Sequence, residues 1–418
     1  MANGSPGGPW APDASRRPRS LKEMRLVIVS HVTHYWDGTR LSAFGPYARE
    51  IDVWADLFRE VVIAAPSGSG AAPGDYLPFT RPNIRLCGQR ETGGPGLKSK
   101  TLQLLSLPWL VAGLARAMWR AEAIHVRCPG NLGLLGAALA PLFSRRLVAK
   151  YAGQWCGYPG EPRSVRLQRF LLRSAWWRGP VTVYGHWPDQ PANVTPFFTS
   201  ILTAEQMARA RASAGRERPG GPLRVIFVGR LSAGKNVDVL ISAVSNLKGE
   251  GAELKCVIVG GGPDHRALEA KVKELGLEET VEFTGSVSFE RVLDYYEQSH
   301  VLVLASESEG WPKAIAEGMA FGLVCIGSDR GLVPQMLGEG RGLVVPPGDV
   351  RGLTEALRGL AASPEAYRGA RAEAAAWAQQ YSLEGLREAI GNLLAEHWEV
   401  DLGGIPGPLE VCPEGTQP

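Results

Sequence analysis

The stretch from Val301 to Gly327, VLVLASESEGWPKAIAEGMAFGLVCIG, constrains the fold more than any other part of the chain. The apolar run Val301–Ala305 reads as a buried strand, and Ser306, Glu307, Ser308 and Glu309 follow as a polar loop. Gly310 and Trp311 lead to Pro312, which suits a first helical position because its missing N–H would be an orphan there. The spacing predicts a helix to about Phe321, ended by Gly322, and a further strand over Val324–Gly327. Strand, loop, helix and strand in this order make a parallel α/β unit. The N-terminus of its helix presents N–H groups and a positive dipole end, a place for an anion. Glu309 stands just before that terminus, and Glu317 lies within the helix.

The same alternation fills the 418 residues in two series. In the first, strands are predicted at Arg25–Ser30, Val61–Ala65, Ile84–Cys87, Ala123–Arg127, Leu147–Ala152 and Val181–Tyr184. Helices fall between them at about Phe44–Arg59, Thr101–Arg120 with a break near Pro108, Gly130–Leu142 and Ser164–Trp177. The second series has strands at Arg224–Val228, Lys255–Val259, Val281–Thr284, Val301–Ala305, Val324–Ile326 and Leu343–Val345. Helical patterns at Val350–Ala361, Pro364–Gln380 and Leu383–Trp398 close it. The expectation is an α/β protein of two Rossmann-like, doubly wound domains, over 21–207 and 223–380, joined by a linker at 208–222 rich in Ala, Arg, Gly and Pro. A last helix follows at 381–400. The Gly- and Pro-rich segments 1–20 and 401–418 are expected to be disordered.

Net charge is only +3, which gives no bulk argument for nucleic-acid binding, but the charge is unevenly placed. Residues 1–200 carry 24 Lys and Arg against 12 Asp and Glu, whereas the remainder carries 21 against 30. A basic first half suggests that it meets something anionic. None of the six cysteines forms a C-x-x-C pair, and several lie in apolar strand-like runs. That favours buried thiols in a reducing compartment over a disulfide framework or a zinc site. The first residues lack an apolar signal core, and the longest apolar run, near Leu102–Ala115, falls short of the roughly 20 residues that span a bilayer. A cytoplasmic location, with peripheral contact at the inner face of the membrane, is the expectation.

Two further strand ends carry glycines. VIFVGRLSAGKN runs from a strand into a loop holding Gly229, Arg230, Gly234 and Lys235. Arg230 offers a planar fork to phosphate oxygens, and Lys235 a point charge. The spacing of Gly229, Gly234 and Lys235 is one residue short of a P-loop, because Asn236 stands where a magnesium-binding Ser or Thr is needed. VIVGGGP ends its strand in Gly260, Gly261 and Gly262, where bare backbone lets a ligand approach. The dinucleotide fingerprint is incomplete there, since His265 takes the place of its third glycine.

The spacing E-x7-E in EGWPKAIAE, with S-E-S-E-G-W-P before it and E-G-M-A-F-G after it, resembles the signature of retaining family-4 glycosyltransferases of the GT-B fold. GRLSAGK, VGGGP, VEFTG, GLVP and GLVVPPGD resemble the family's other motifs, so the likeness covers about Leu223–Asp349 well and Met24–Ser200 loosely. The resemblance implies two domains facing across a cleft, with the last helix returning to the first. It implies that Glu309 contacts the donor sugar, that Glu317 binds the ribose hydroxyls, and that Arg230 and Lys235 neutralise the donor diphosphate. Gly229, Gly260, Gly261, Gly310, Trp311, Pro312 and Lys313 would border the donor, and Ser286 and Val287 would line the base. The family's catalytic-site histidine after a middle strand is matched in position by Arg127 of IHVRCP, with His125 two residues earlier. His31, His34 and Asp37 are candidates for the acceptor side. Gln335 departs from the usual glutamate and is expected to lie behind the site.

The expected activity is transfer of a hexosyl group from a UDP- or GDP-linked sugar, with retention and without metal or cofactor. The acceptor class is a glycan, a lipid-linked molecule or a small molecule. A glycosidase sets its two carboxylates about 5–9.5 Å apart, whereas eight helical residues span about 12 Å. An epimerase of the same fold needs acid and base residues that the sequence does not offer, and a non-catalytic sugar-nucleotide sensor would not need Glu309. RSVRLQRFLLRSAWWRG, at 163–179, is expected to present Arg163, Arg166, Arg169 and Arg173 as one basic row flanked by Trp176 and Trp177.

Overall fold

The structure, a computed structural model, describes residues 19–90, 97–158, 161–217, 220–363 and 367–402, the side chains of 97–104 excepted. Most of the two terminal segments expected to be disordered, and Cys412, lie outside these residues.

Among the described residues, ten strands and four α-helices build the first domain. Its strands are β1 (Arg25–Val29), β2 (Tyr35–Trp36), β3 (Leu41–Phe44), β4 (Glu60–Pro66), β5 (Tyr76–Pro78), β6 (Ile84–Gln89), β7 (Ala123–Cys128), β8 (Arg146–Tyr151), β9 (Val181–Tyr184) and β10 (Val194–Phe197). Its helices are α1 (Gly45–Ala55), α2 (Leu97–Met118), α3 (Asn131–Leu139) and α4 (Arg163–Arg173). Seven strands form one parallel sheet in the order β10-β9-β8-β7-β1-β4-β6. Successive residues of β1 serve opposite faces, as a strand's pleat requires. Leu26 and Ile28 pack with α1, and Val27 and Val29 pack with α2, α3 and α4. A small antiparallel sheet, β2-β3-β5, was not anticipated, because its strands are only two to four residues long. Pro108 lies inside a continuous α2 where the sequence predicts a break; Leu110, Leu114 and Met118 bury that helix against the sheet.

The second domain begins earlier than the sequence suggests. A capping box at Thr203 and Gln206 starts α5 (Ala204–Ala214), and Met207 and Ala210 join the second core. Then follow β11 (Leu223–Val228), α6 (Val237–Gly249), β12 (Leu254–Val259), α7 (His265–Glu274), β13 (Val281–Gly285) and α8 (Phe289–Gln298). The rest comprises β14 (Val301–Leu304), α9 (Lys313–Ala320), β15 (Val324–Ser328), α10 (Val333–Leu337), β16 (Leu343–Val345), α11 (Val350–Ala362) and α12 (Arg368–Ala378). The sheet is parallel, in the order β13-β12-β11-β14-β15-β16. The last helix, α13 (Leu383–Trp398), leaves this domain and buries Leu386, Ile390, Leu394 and Trp398 in the first domain's core. The Trp398 indole N–H donates to the Leu147 carbonyl at 3.2 Å.

The chain thus crosses between domains twice, at 198–203 and at 379–382, and the crossings are tied by Leu383 N–H donating to the Leu202 carbonyl at 2.9 Å. An aromatic cluster fills the junction. Trp311 lies 5.8 Å from Tyr184 of the first domain and 5.3 Å from Tyr381, which lies 4.8 Å from Phe198. Gln335 makes the most specific cross-domain contact. Its Oε1 accepts from His186 N–H at 2.9 Å, and its Nε2 donates to the His186 carbonyl at 2.7 Å. The residue expected to lie behind the site is therefore a clamp between domains, and the usual glutamate could make only the accepting half.

A Gln335→Ala variant should lose both bonds. At about 1 kcal/mol each, the His186 amide should exchange with solvent at least about ten-fold faster. Gln335→Glu should behave similarly at neutral pH and recover part of the protection below about pH 4.3, where a carboxyl can donate. Amide hydrogen exchange checks both.

Candidate active site between two parallel sheets

The C-terminal strand ends of the second sheet open towards the first domain, where open α/β sheets hold ligands. Their loops touch one another so closely that several glycines are obligatory. A Cβ at Gly260 would overlap the Gly229 carbonyl, and one at Gly310 would overlap the Ala152 carbonyl of the first domain. A Cβ at Gly261 would come within 2.8 Å of Ser286 Oγ. Gly331, at φ +57°, lies against the Glu309 carbonyl. The loop after β11 is pinned to the loop after β14: Glu307 N–H donates to Gly234, and Asn236 Nδ2 donates to Ala305 and to Glu307 Oε1, each at 2.9 Å.

This packing brings Lys235 Nζ to 2.5 Å from Glu309 Oε1, beside the start of α9. Glu309 is the more enclosed of the two, with Lys235 about a quarter exposed. A cation, a carboxylate and a helix N-terminus therefore converge on one spot. Pro312 caps α9 rather than opening it, one residue from the sequence expectation, and Lys313 is the first helical residue. Arg230 is exposed on the cleft side, and its charge reaches Tyr76 of the first domain. Ser286 is exposed and Val287 half-buried in the loop before α8. Trp311 is a correction among the donor candidates: its side chain is buried in the aromatic junction.

Glu317, on the second turn of α9, is buried and accepts from the Tyr296 hydroxyl at 2.8 Å. Burial pushes its pKa up to about 7; the Tyr296 hydrogen bond and the charges of Lys313 and Arg49 oppose this and do not cancel it. Arg49 comes from α1 of the first domain. It donates to the Ile201 carbonyl at 2.7 Å and stacks 4.7 Å over Phe289. Sequence reading missed Arg49, Tyr296 and Thr199, which lines the junction pocket with Lys313 and Glu317.

The first-domain candidates divide sharply. One stripe of α1, Tyr47, Glu50 and Trp54, covers β7 and β8. Arg127 Nη1 lies 2.5 Å from Glu50 Oε1 and its guanidinium 4.9 Å over the Tyr47 ring. Lys150, the register partner of Arg127, donates to Glu50 Oε2 at 2.8 Å. Burial raises the Glu50 pKa, but the two cations more than reverse this and hold it well below the usual carboxylate range. Lys150 falls to about 8, through burial first. Arg127 is thus committed to a buried ion pair.

His125 does not reach the cleft. It is fully buried with its ring 4.3 Å from Trp54, and neither ring nitrogen has a hydrogen-bond partner among the described residues. Burial and the charge of Arg127 keep it neutral. His34 is also a core residue: Nδ1 bonds the Val32 carbonyl at 2.8 Å, and burial lowers its pKa to about 4. Asp37 is exposed but spends its Oδ1 on Thr39 and Arg40 of its own turn, so it serves the loop. Of the acceptor-side candidates, only His31 is exposed without such a commitment; its Nδ1 lies beside Gly130 at the start of α3.

Residues 209–377 match the family model described as Glycosyl transferases group 1. Among curated proteins, the chain is 31% identical over 54% of its length to the putative colanic acid biosynthesis glycosyltransferase WcaL of Salmonella typhimurium, matching 56% of that protein. It is 32% identical over 50% of its length to the α-D-kanosaminyltransferase of Streptomyces kanamyceticus, matching 55% of it. The chain thus spans about half the length of these relatives. Among solved structures, Anabaena Alr3699/HepE in complex with UDP superposes with a TM-score of 0.65 at 16% identity, covering 89% of this chain and 100% of that one. The fold is GT-B.

Two variants test the buried charges. Glu50→Ala leaves two interior cations without their anion and should cost about 3–5 kcal/mol in chemical unfolding. Glu317, ordinarily at 4.5 and here at about 7, favours folding while protonated. Its contribution is complete below about pH 4.5 and is lost as pH rises through about 7. Glu317→Gln should therefore be more stable than the parent at pH 8, by up to about 3 kcal/mol relative to the difference at pH 4. Melting curves across that range check it.

Proposed function

We propose that this chain transfers a hexosyl group from a nucleoside-diphosphate sugar, UDP- or GDP-linked, to an acceptor hydroxyl with retention of configuration. The observation that carries this reading is the meeting of Lys235, Glu309 and the α9 N-terminus beside glycine-lined strand ends. In this reading Lys235, Arg230 and the helix terminus hold the diphosphate, and Glu309 turns from Lys235 to the sugar hydroxyls. Glu317 reaches the ribose, Ser286 and Val287 border the base, and Gly229, Gly260 and Gly261 let the ligand approach the backbone. These fixed positive charges stabilise the leaving group without a metal ion or cofactor.

No carboxylate is assigned as a covalent nucleophile. The acceptor oxygen attacks the anomeric carbon on the face from which the diphosphate departs, and the departing phosphate oxygen takes the acceptor proton. The acceptor is a glycan, a lipid-linked molecule or a small natural product. The colanic acid and kanosaminyl relatives support the first and third, and the UDP complex of the structural neighbour supports a nucleoside diphosphate donor.

Incubation with UDP- and GDP-sugars should show slow hydrolysis of one donor, and proton NMR of the released sugar or product should show the donor's anomeric configuration. Lys235→Ala and Arg230→Ala should each cut turnover about 100- to 1,000-fold with the fold intact. An inverted product, or activity abolished by a chelator, overturns the proposed mechanism.

A further inference from the structure

Helices α2, α3 and α4 lie side by side on one face of the seven-stranded sheet, opposite α1 and α13. Their inward side chains form one core cluster, but their outward faces are unusually apolar. On α2, Leu105 and Trp109 are 76% and 64% exposed, and Trp119 just beyond it is 66% exposed. The positions 105, 109, 112, 116 and 119 advance by four and three, so they form one stripe along the helix. On α4, Leu167 and Phe170 project outward, Phe170 at 67%, and Trp176 follows at its end.

The charge on this face has one sign. Arg116, Arg120, Arg163, Arg166, Arg173 and Arg178 are exposed. From 97 to 180 the only carboxylates are Glu122 and Glu161. Glu122 is engaged with Arg19 and Arg59 at the N-terminal end of the central strands, and Glu161 is enclosed in an ion pair with Arg169. That pair corrects the basic row expected from the sequence: Arg169 turns inward, and its place outside is taken by Leu167 and Phe170. The result is more amphipathic than a solvated basic helix. Arginines stand between protruding indole, phenyl and leucyl tips, which gain nothing in water and suit an apolar interior beneath an anionic layer. No helix among the described residues is long and apolar enough to cross a membrane.

We propose that the α2–α3–α4 face docks on the surface of an anionic lipid bilayer, with Trp109, Trp119, Phe170 and Trp176 at the headgroup level and the arginines on lipid phosphates. The proposal is independent of the transfer reaction and of the donor.

The test is co-sedimentation of the full chain with phosphatidylcholine vesicles, with and without phosphatidylglycerol. Binding is expected only with the anionic lipid and should weaken as salt rises. Arg163→Glu with Arg166→Glu and Arg173→Glu should weaken partitioning at least about a hundred-fold, since each basic residue near such a surface contributes about 1 kcal/mol. Trp109→Ser with Phe170→Ser should weaken it as well, and donor hydrolysis should be unchanged in both variants. Circular dichroism keeps misfolding distinct from lost docking. No binding to anionic vesicles at low salt overturns the proposal. So does binding indifferent to Trp109 and Phe170 and matched by heparin or single-stranded RNA, which would mark a general polyanion surface. A concentration-dependent dimer in sedimentation equilibrium that is abolished by the Trp109 and Phe170 changes also overturns it, since the face would then be covered by a second copy.

Discussion

The Glu50 carboxylate is the point on which the first domain turns. Arg127 and Lys150 face each other across adjacent parallel strands, and like charges opposed in a sheet repel. In a buried site that repulsion would be severe, and Glu50 removes it by sitting between them. The same carboxylate accepts from Thr199 Oγ1 at 3.3 Å, where the chain leaves for the second domain. One anion therefore joins α1, two central strands and the first interdomain crossing. The excess positive charge is partly met by the Tyr184 ring, 5.1 Å from Lys150 Nζ, and Tyr184 itself packs on Trp311 next to Glu309. Charge balance inside one domain thereby sets the position of an aromatic contact with the other.

The strand ends of the second domain have a different logic. Their loops are held by backbone approaching backbone, with glycine wherever a Cβ would intrude. Such packing leaves few side-chain degrees of freedom, so Lys235 and Glu309 are delivered to each other without either being fully buried. Ligand groups that reach this spot meet donors already in place, which lowers the ordering cost of binding.

What could be read in advance follows the range of the interactions. All twelve strands expected for the two large sheets are present, because most are short runs rich in apolar, often β-branched, residues bounded by polar loops. The glycine-bearing loops at the strand ends of the second sheet were equally legible as loops, since each is a contiguous motif. The first-domain side was not. His34, His125 and Asp37 have reactive side chains, and only the tertiary structure shows that two are interior and one closes its own turn. Glu50 left one trace, a carboxylate on the apolar stripe of α1 between Tyr47 and Trp54, where a charge needs a buried partner. The start of α5 was also available, as a threonine followed three residues later by glutamine. Strand β10 is short and contains Pro196, and offered no comparable signal.

The Gln335 clamp has a consequence for how the two halves respond to their surroundings. A primary amide mimics a peptide unit, so Gln335 meets His186 as a neighbouring strand would, donor to acceptor and acceptor to donor. Both bonds join the Gln335 amide to the uncharged backbone of His186, so neither is screened as an ion pair would be. These two bonds should therefore be insensitive to ionic strength. At this point the two domains are joined by complementary geometry rather than by charge.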